Sequence, residues 1–203
     1  MGVVGLGTGS LACYHRGGQD WRFFEIDPAV VALSRKGTFT FVRDCAPGAA
    51  MVVGDARLEL AKAPRAGLDV LAIDAFSSDA IPLHLLTDEA FGIYLDALAP
   101  DGLLLVHISN RFIELEPVLA AEAGKRGLSA AIRDDIPGGE DAALYTPSSW
   151  VVLTRDPAKI AALRRIAPQF GWTPLASPAR RAWTDDHASI LPYVRWDNFI
   201  GKP

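Results

Sequence analysis

Short apolar runs alternate with helix-length segments almost from the first residue, and few architectures accommodate that rhythm. Strand-like runs fall at 1–5, 21–25, 51–53, 70–73 and 103–108, with helix-like segments at 10–16, 28–35, 56–62, 87–98 and 114–125. Pro28 suits a first helical turn, and Ala99-Pro100-Asp101-Gly102 is a stop signal after the fourth helix. Runs that are apolar throughout, rather than alternating, belong to parallel strands buried on both faces. The expectation is an α/β chain with a doubly wound, mostly parallel sheet. Two later runs, 128–133 and 150–154, are separated by a polar Gly/Asp/Pro stretch instead of a helix, so an antiparallel edge pair is expected there. A final helix is expected at 157–166 and an irregular tail from about 171; the aromatics Trp183, Tyr193, Trp196 and Phe199 leave three destinations for that tail, the sheet edge, the site or a partner.

No repeat or linker divides the chain, so residues 1–203 read as one domain. The first run should be a central strand, and the chain starts inside it; a segment preceding it is expected in the natural protein or in its relatives. With 50% apolar and 22% charged residues, a packed core is expected and wholesale disorder is excluded. The net charge of -4, without a long basic run, gives nucleic acid or an anionic membrane no electrostatic footing. No apolar run approaches the roughly 18–20 residues that span a bilayer. Cys13 and Cys45 are the only cysteines and show no metal-binding spacing, which points away from a disulfide scaffold and a structural zinc and toward a reducing, cytoplasmic setting.

In open parallel sheets, ligands bind beyond the carboxyl ends of the strands, so only residues there are eligible for a site. The first end reads Gly5-Leu6-Gly7-Thr8-Gly9-Ser10, a turn that lets backbone approach a ligand beside a helix N-terminus. At the second, Glu25 stands about 20 residues on, placed to accept two ribose hydroxyls; Asp27, before Pro28, suits a helix cap. At the third, Asp55 is either an acceptor for an adenine amine or a helix N-cap. Ile26 and Ala56, beside these acids, fall in the same candidate ligand site. The fourth end is the richest: Asp74, Ser77, Ser78 and Asp79 follow the central strand directly. Carboxylates there can hold a cationic amine and take its proton; Asp79 also reads as a turn or cap residue. His107, at the fifth end, reads as a satisfied sheet-end histidine, and His15, His84 and His187 have no metal-ligand spacing and take no role.

These strings carry a resemblance. Gly-Leu-Gly-Thr-Gly-Ser at 5–10, Glu25-Ile26-Asp27-Pro28, Gly54-Asp55-Ala56-Arg57 and, above all, Asp74-Ala75-Phe76-Ser77-Ser78-Asp79-Ala80-Ile81-Pro82 with His84-Leu85-Leu86-Thr87 resemble the spermidine synthase-like proteins, in the branch often fused to a transporter-like membrane region. Segments 107–111, 148–153 and 183–186 are similar to that branch too. The resemblance implies a Rossmann-like fold of the class I S-adenosylmethionine (SAM) methyltransferase type, seven strands with the last antiparallel. It implies decarboxylated SAM as donor of an aminopropyl group to a polyamine acceptor, with no metal required. Glu25 would then hold the ribose, Asp55 the adenine and Asp79 the acceptor's amine, while Asp74 would deprotonate or align that amine. The Gly5, Gly7, Thr8 and Gly9 turn would line the donor. Spermidine synthases commonly dimerise, which makes a homodimer the implied assembly, although no sequence stripe marks an interface. Two departures from the family pattern are expected: Thr8 stands where an acidic residue usually binds the donor's amine, and the sequence as read from its first run lacks the N-terminal β-hairpin region that covers the acceptor.

An aminopropyltransferase is therefore the first expectation, with a SAM-dependent methyltransferase and a non-catalytic adenosyl-metabolite-binding domain as alternatives. A nicotinamide-dependent oxidoreductase meets the generic requirements through the glycine turn and Glu25. It lacks the third glycine, where Ser10 stands, and any evident hydride-transfer set.

Overall fold

The computed structural model describes residues 1–75, 82–139, 143–166, 168–175 and 181–200. The strands are β1 (Gly2–Val4), β2 (Arg22–Glu25), β3 (Ala50–Val53), β4 (Leu68–Ile73), β5 (Leu98–His107), β6 (Ser129–Asp135) and β7 (Ser148–Thr154). The helices are α1 (Pro28–Arg35), α2 (Phe41–Cys45), α3 (Ala56–Ala61), α4 (Asp88–Ala97), α5 (Glu116–Arg126), α6 (Pro157–Ile166) and α7 (Asp197–Ile200). Local chemistry explains the helix ends. Asp27 caps α1 by accepting from the Ala29 N–H, with Pro28 in the first turn. Thr87 caps α4, whose first turn carries Asp88 and Glu89. Gly127, left-handed, ends α5 after Lys125 and Arg126.

The sheet order is β3-β2-β1-β4-β5-β7-β6. The first five strands are mutually parallel, and β7 runs antiparallel to both β5 and β6. The sheet thus has six parallel strands and the expected antiparallel last one. Successive residues serve opposite faces: Val3 and Phe23 enter one core cluster with Trp21, Val31 and Val42, whereas Val4 and Phe24 enter the other with Phe91, Tyr94 and Leu119. That division is the physical content of a doubly wound sheet. Truncating a fully buried core aromatic such as Phe91 to Ala would cost about 3–5 kcal/mol.

Three details differ from the sequence expectation. Segment 10–16 winds only as a 3-10 helix over Ser10–Tyr14. β5 starts at Leu98 rather than at 103, because Leu98 already pairs with Leu68 before the register shifts to the Val70–Leu103 pair. Cys13 and Cys45, 32 residues apart, form a disulfide, with Cα atoms 4.8 Å apart. The short helix α2 causes this: it packs against the 3-10 segment and brings its terminal cysteine to Cys13.

The aromatic tail packs on the larger core. Trp183 and Tyr193 are buried there, edge to face at 5.4 Å, while Trp196 stays exposed. A bridge between Ile132 and Thr173 covers the outer edge of β6. No helix among the described residues is long and apolar enough to cross a membrane.

Candidate active site

The carboxyl ends of β1, β2, β3 and β4 open onto a single cleft of about 400 Å³. Its lining includes Gly5, Gly7, Glu25, Ile26, Asp27, Asp55, Ala56 and Asp74, with Pro82, His84 and Leu85 on another wall. The glycine turn is obligatory where it meets β4. Gly5 has φ +93°, and a Cβ there would lie 2.2 Å from the Asp74 carbonyl oxygen. Gly7, also at positive φ, has nothing within 4 Å of its virtual Cβ, so backbone itself forms that part of the cleft wall.

The two predicted donor acids are held by backbone. Glu25 Oε2 accepts from the Leu6 N–H and Oε1 from the Asp27 N–H, each at 2.9 Å, which ties the end of β2 to the glycine turn. Each carboxylate oxygen has a second lone-pair site, so two hydroxyl donors can still be accepted. Asp55 is the N-cap of α3, its Oδ1 accepting from the Leu58 N–H at 3.1 Å, and the residue also lines the cleft. Its Oδ2 lies 3.5 Å from His84 Nε2.

Asp74 follows β4 directly, and its Oδ1 lies 2.7 Å from His107 Nδ1, at the end of β5. Glu25, Asp27, Asp55 and Asp74 line the cleft, and among the described residues that line it none is Lys or Arg. Such a concentration of negative charge favours a cationic ligand and disfavours a pyrophosphate.

A latch closes the wall beside Asp55. Arg57, in the first turn of α3, donates to both carboxylate oxygens of Asp185 at 2.8 Å and to the His84 carbonyl at 2.9 Å. The Thr87 hydroxyl donates to Asp185 Oδ1 at 2.7 Å, and the Asp185 N–H donates to Glu89. The Arg57 guanidinium, followed by the Thr87 hydroxyl, holds the Asp185 carboxyl down to about 2. The same hydrogen bonds keep Arg57 protonated beyond its usual range. Beneath the cleft, the buried Tyr94 hydroxyl donates to the Leu85 carbonyl at 3.1 Å, and burial raises its phenol above the ordinary range.

The structure therefore brings Gly5, Gly7, Glu25, Ile26, Asp55, Ala56 and Asp74 together. Thr8 is exposed and outside the lining, and Gly9 is buried where a Cβ would meet Val42 at 2.7 Å. Ser77, Ser78 and Asp79 lie outside the described residues. Sequence reasoning gave His84 no role and treated His107 as merely satisfied, yet one lines the cleft and the other holds Asp74. The place of His107 beside Asp74 follows from strand order, since β5 lies next to β4 in the sheet. The latch joins Arg57 to a residue 128 positions away, and no local pattern announces such a contact.

No protein-family model and no curated protein matches the chain. Solved structures do. A probable spermidine synthase from Corynebacterium glutamicum is 19% identical with a TM-score of 0.64, the match covering 94% of this chain and 74% of that one. A spermidine synthase in complex with the transition state analogue AdoDATO is 18% identical with a TM-score of 0.58, over 91% of this chain and 61% of that one. A SAM-dependent methyltransferase from Archaeoglobus fulgidus is 13% identical with a TM-score of 0.50, over 75% and 83%. The chain has the class I SAM-methyltransferase-like fold, and it spans less than two thirds of the length of the AdoDATO-bound synthase.

Proposed function

We propose that the chain is a spermidine synthase-like transferase that moves an aminopropyl group from decarboxylated SAM to a small polyamine acceptor. One observation carries this reading: Glu25, Asp55 and Asp74 converge with the glycine turn on one cleft without Lys or Arg among its described lining residues. Its volume of about 400 Å³ falls in the range of small-ligand sites. The fold likeness to spermidine synthases, one of them in complex with AdoDATO, supports the same donor class.

Ligand placement follows from the lining. Glu25 would accept the ribose hydroxyls and the free oxygen of Asp55 the adenine amine, with Ile26 and Ala56 against the nucleoside. The sulfonium then faces Asp74. An acceptor amine attacks the carbon next to sulfur, a C–N bond forms, and the C–S bond breaks with its electron pair passing to sulfur. The neutral thioether leaves as methylthioadenosine. The proton lost by the attacking nitrogen goes to Asp74, and the remaining demand on the protein is alignment. Asp79 and its serine neighbours, Ser77 and Ser78, belong to the acceptor side of the proposal. A homodimer belongs to it as well, whereas the Cys13–Cys45 bond removes the premise of the reducing, cytoplasmic setting.

The nicotinamide reading loses ground on two observations. The cleft is acidic where a pyrophosphate would lie, and an antiparallel β7 stands between β5 and β6, unlike the usual 3-2-1-4-5-6 order of dinucleotide-binding sheets. Methyl transfer from SAM is the nearer alternative, favoured by Thr8 in the glycine turn. Incubation with decarboxylated SAM plus putrescine or another diamine should release methylthioadenosine in step with the aminopropylated amine. S-adenosylhomocysteine formed from SAM instead would assign methyl transfer, and donor binding without either product would assign a binding domain.

A further inference from the structure

The geometry points to His107 as a positioning residue for Asp74: a neutral imidazole that donates Nδ1–H to one carboxylate oxygen and leaves the other to the acceptor's amine. The inference rests on the proposed role of Asp74 and deepens it. Its starting point is strand register. β4 and β5 are parallel with Ile73 opposite Val106, so the next residues, Asp74 and His107, fall side by side at the rim. Across the other edge of β5, His107 pairs with Trp150 of β7, and the two rings stack at 4.8 Å with 20° between their planes. The imidazole is thus held flat against an indole on one strand while it reaches the carboxylate after another.

The tautomer follows from the partners of Ser109. Its Oγ lies 2.7 Å from the Ser149 backbone nitrogen, which can only donate, and 2.6 Å from His107 Nε2. A neutral imidazole facing the Asp74 carboxylate carries its hydrogen on Nδ1, so Nε2 is the acceptor for the Ser109 hydroxyl proton. Nε2 is then the bare nitrogen, Nδ1 carries the hydrogen, and the 2.7 Å contact to Asp74 Oδ1 is a donation to a carboxylate. The chain of donors runs from the Ser149 N–H through Ser109 and His107 to Asp74, and every member has one direction. Such a chain orients the carboxylate, as outer partners do for metal-ligating side chains, where their loss typically costs about 10–100-fold. The proton taken from the amine stays on the other oxygen of Asp74, and His107 aligns the acid.

Two measurements test this, one independent of turnover. In histidine-labelled wild-type protein, nitrogen–proton correlation spectra should show His107 protonated at Nδ1 and bare at Nε2. Its Nδ1 proton should lie far downfield and move upfield in D74N. An Nε2–H tautomer overturns the proposal whether or not the protein proves to be an enzyme. The kinetic arm uses methylthioadenosine release. H107A should lower turnover by about 10–100-fold with donor affinity within about twofold of wild type. H107N, whose amide nitrogen replaces Nδ1 as donor, should recover most of the loss. In the D74N background, H107A should cost nothing further, because the two act as one unit. Equal losses in H107A and H107N, or additive losses in the double variant, overturn the positioning role. Wild-type protein silent with every donor–acceptor pair sinks the transferase reading instead, and the spectra then decide the His107 assignment.

Discussion

The sheet rim and the interior of α5 treat carboxylates in opposite ways. At the rim, Glu25 and Asp55 accept backbone N–H groups and Asp74 accepts an imidazole N–H. Glu122, fully buried in the middle of α5, has no hydrogen-bond partner on either oxygen among the described residues. Its neighbour Arg126 holds Nε at 3.5 Å and gives its Nη2 to the carboxylate and carbonyl of Asp88. The difference is positional. Strand ends and helix starts supply unsatisfied N–H groups, whereas a helix interior has already spent its own. An acid is therefore cheap to hold where a ligand can reach it and costly where none can, and the rim is where this chain concentrates them.

The hardest test of the rim is D74N, which keeps shape and removes charge. Transfer should fall by about 10²–10⁴-fold, the range of a lost general base, while donor binding survives. Single-turnover methylthioadenosine formation and a calorimetric donor titration measure the two separately. A variant with wild-type turnover would put Asp74 on the same footing as any solvated carboxylate.

Glu122 provides the contrast. Burial, reinforced by Asp88 and only partly offset by Arg126, pushes its carboxyl up to about 7 from 4.5. Between those values the folded state binds more protons than the unfolded one, so this group makes stability fall as pH rises from about 4.5 to 7. The loss amounts to at most about 3 kcal/mol. E122Q removes the titration; relative to wild type it should gain stability on going from pH 5 to pH 8 in urea unfolding. A gap of the same size at both pH values would mean that Glu122 is solvated after all.

E25Q sharpens the rim side. Glu25 offers charge-assisted acceptance to a ribose, worth about 1.5–3 kcal/mol, so donor affinity should weaken by about 10–100-fold with little change in the rate from bound donor. Unchanged donor affinity would remove Glu25 from the site and leave it a tether for the glycine turn.

The parts of this scheme that were legible in advance share one cause. Chain-continuous apolar runs marked the strands, and restricting attention to strand ends selected Glu25, Asp55 and Asp74 without coordinates. Asp55 shows that a capping residue can also face the cleft, since its Oδ1 caps α3 while the residue lines the opening. What stayed hidden depends on strand order and on contacts between distant segments. His107 became informative only once β5 was known to lie beside β4. The Cys13–Cys45 bond required α2, a five-residue helix too short for a periodic signal. The destination of the tail was set by Trp183 finding Tyr193 and by Asp185 finding Arg57, pairings that local sequence does not encode.

That last pairing yields the smallest predicted effect and separates the rim acids from a carboxylate that serves packing. Asp185 is partly exposed and Arg57 mostly buried, so the bidentate pair should contribute about 0.5–1 kcal/mol. D185N should lower Tm at pH 7 by about 1–4 °C for a chain of this size. Because Arg57 and then Thr87 depress the Asp185 carboxyl to about 2, the contribution is complete above about 4 and fades as pH falls through 2. The gap between wild type and D185N should therefore close in acid, while donor affinity at neutral pH changes by less than about threefold. A gap that persists at pH 2 would assign the stability to Thr87 and the packing of Trp183, and a large loss of donor affinity would move Asp185 from the wall of the cleft into the site itself.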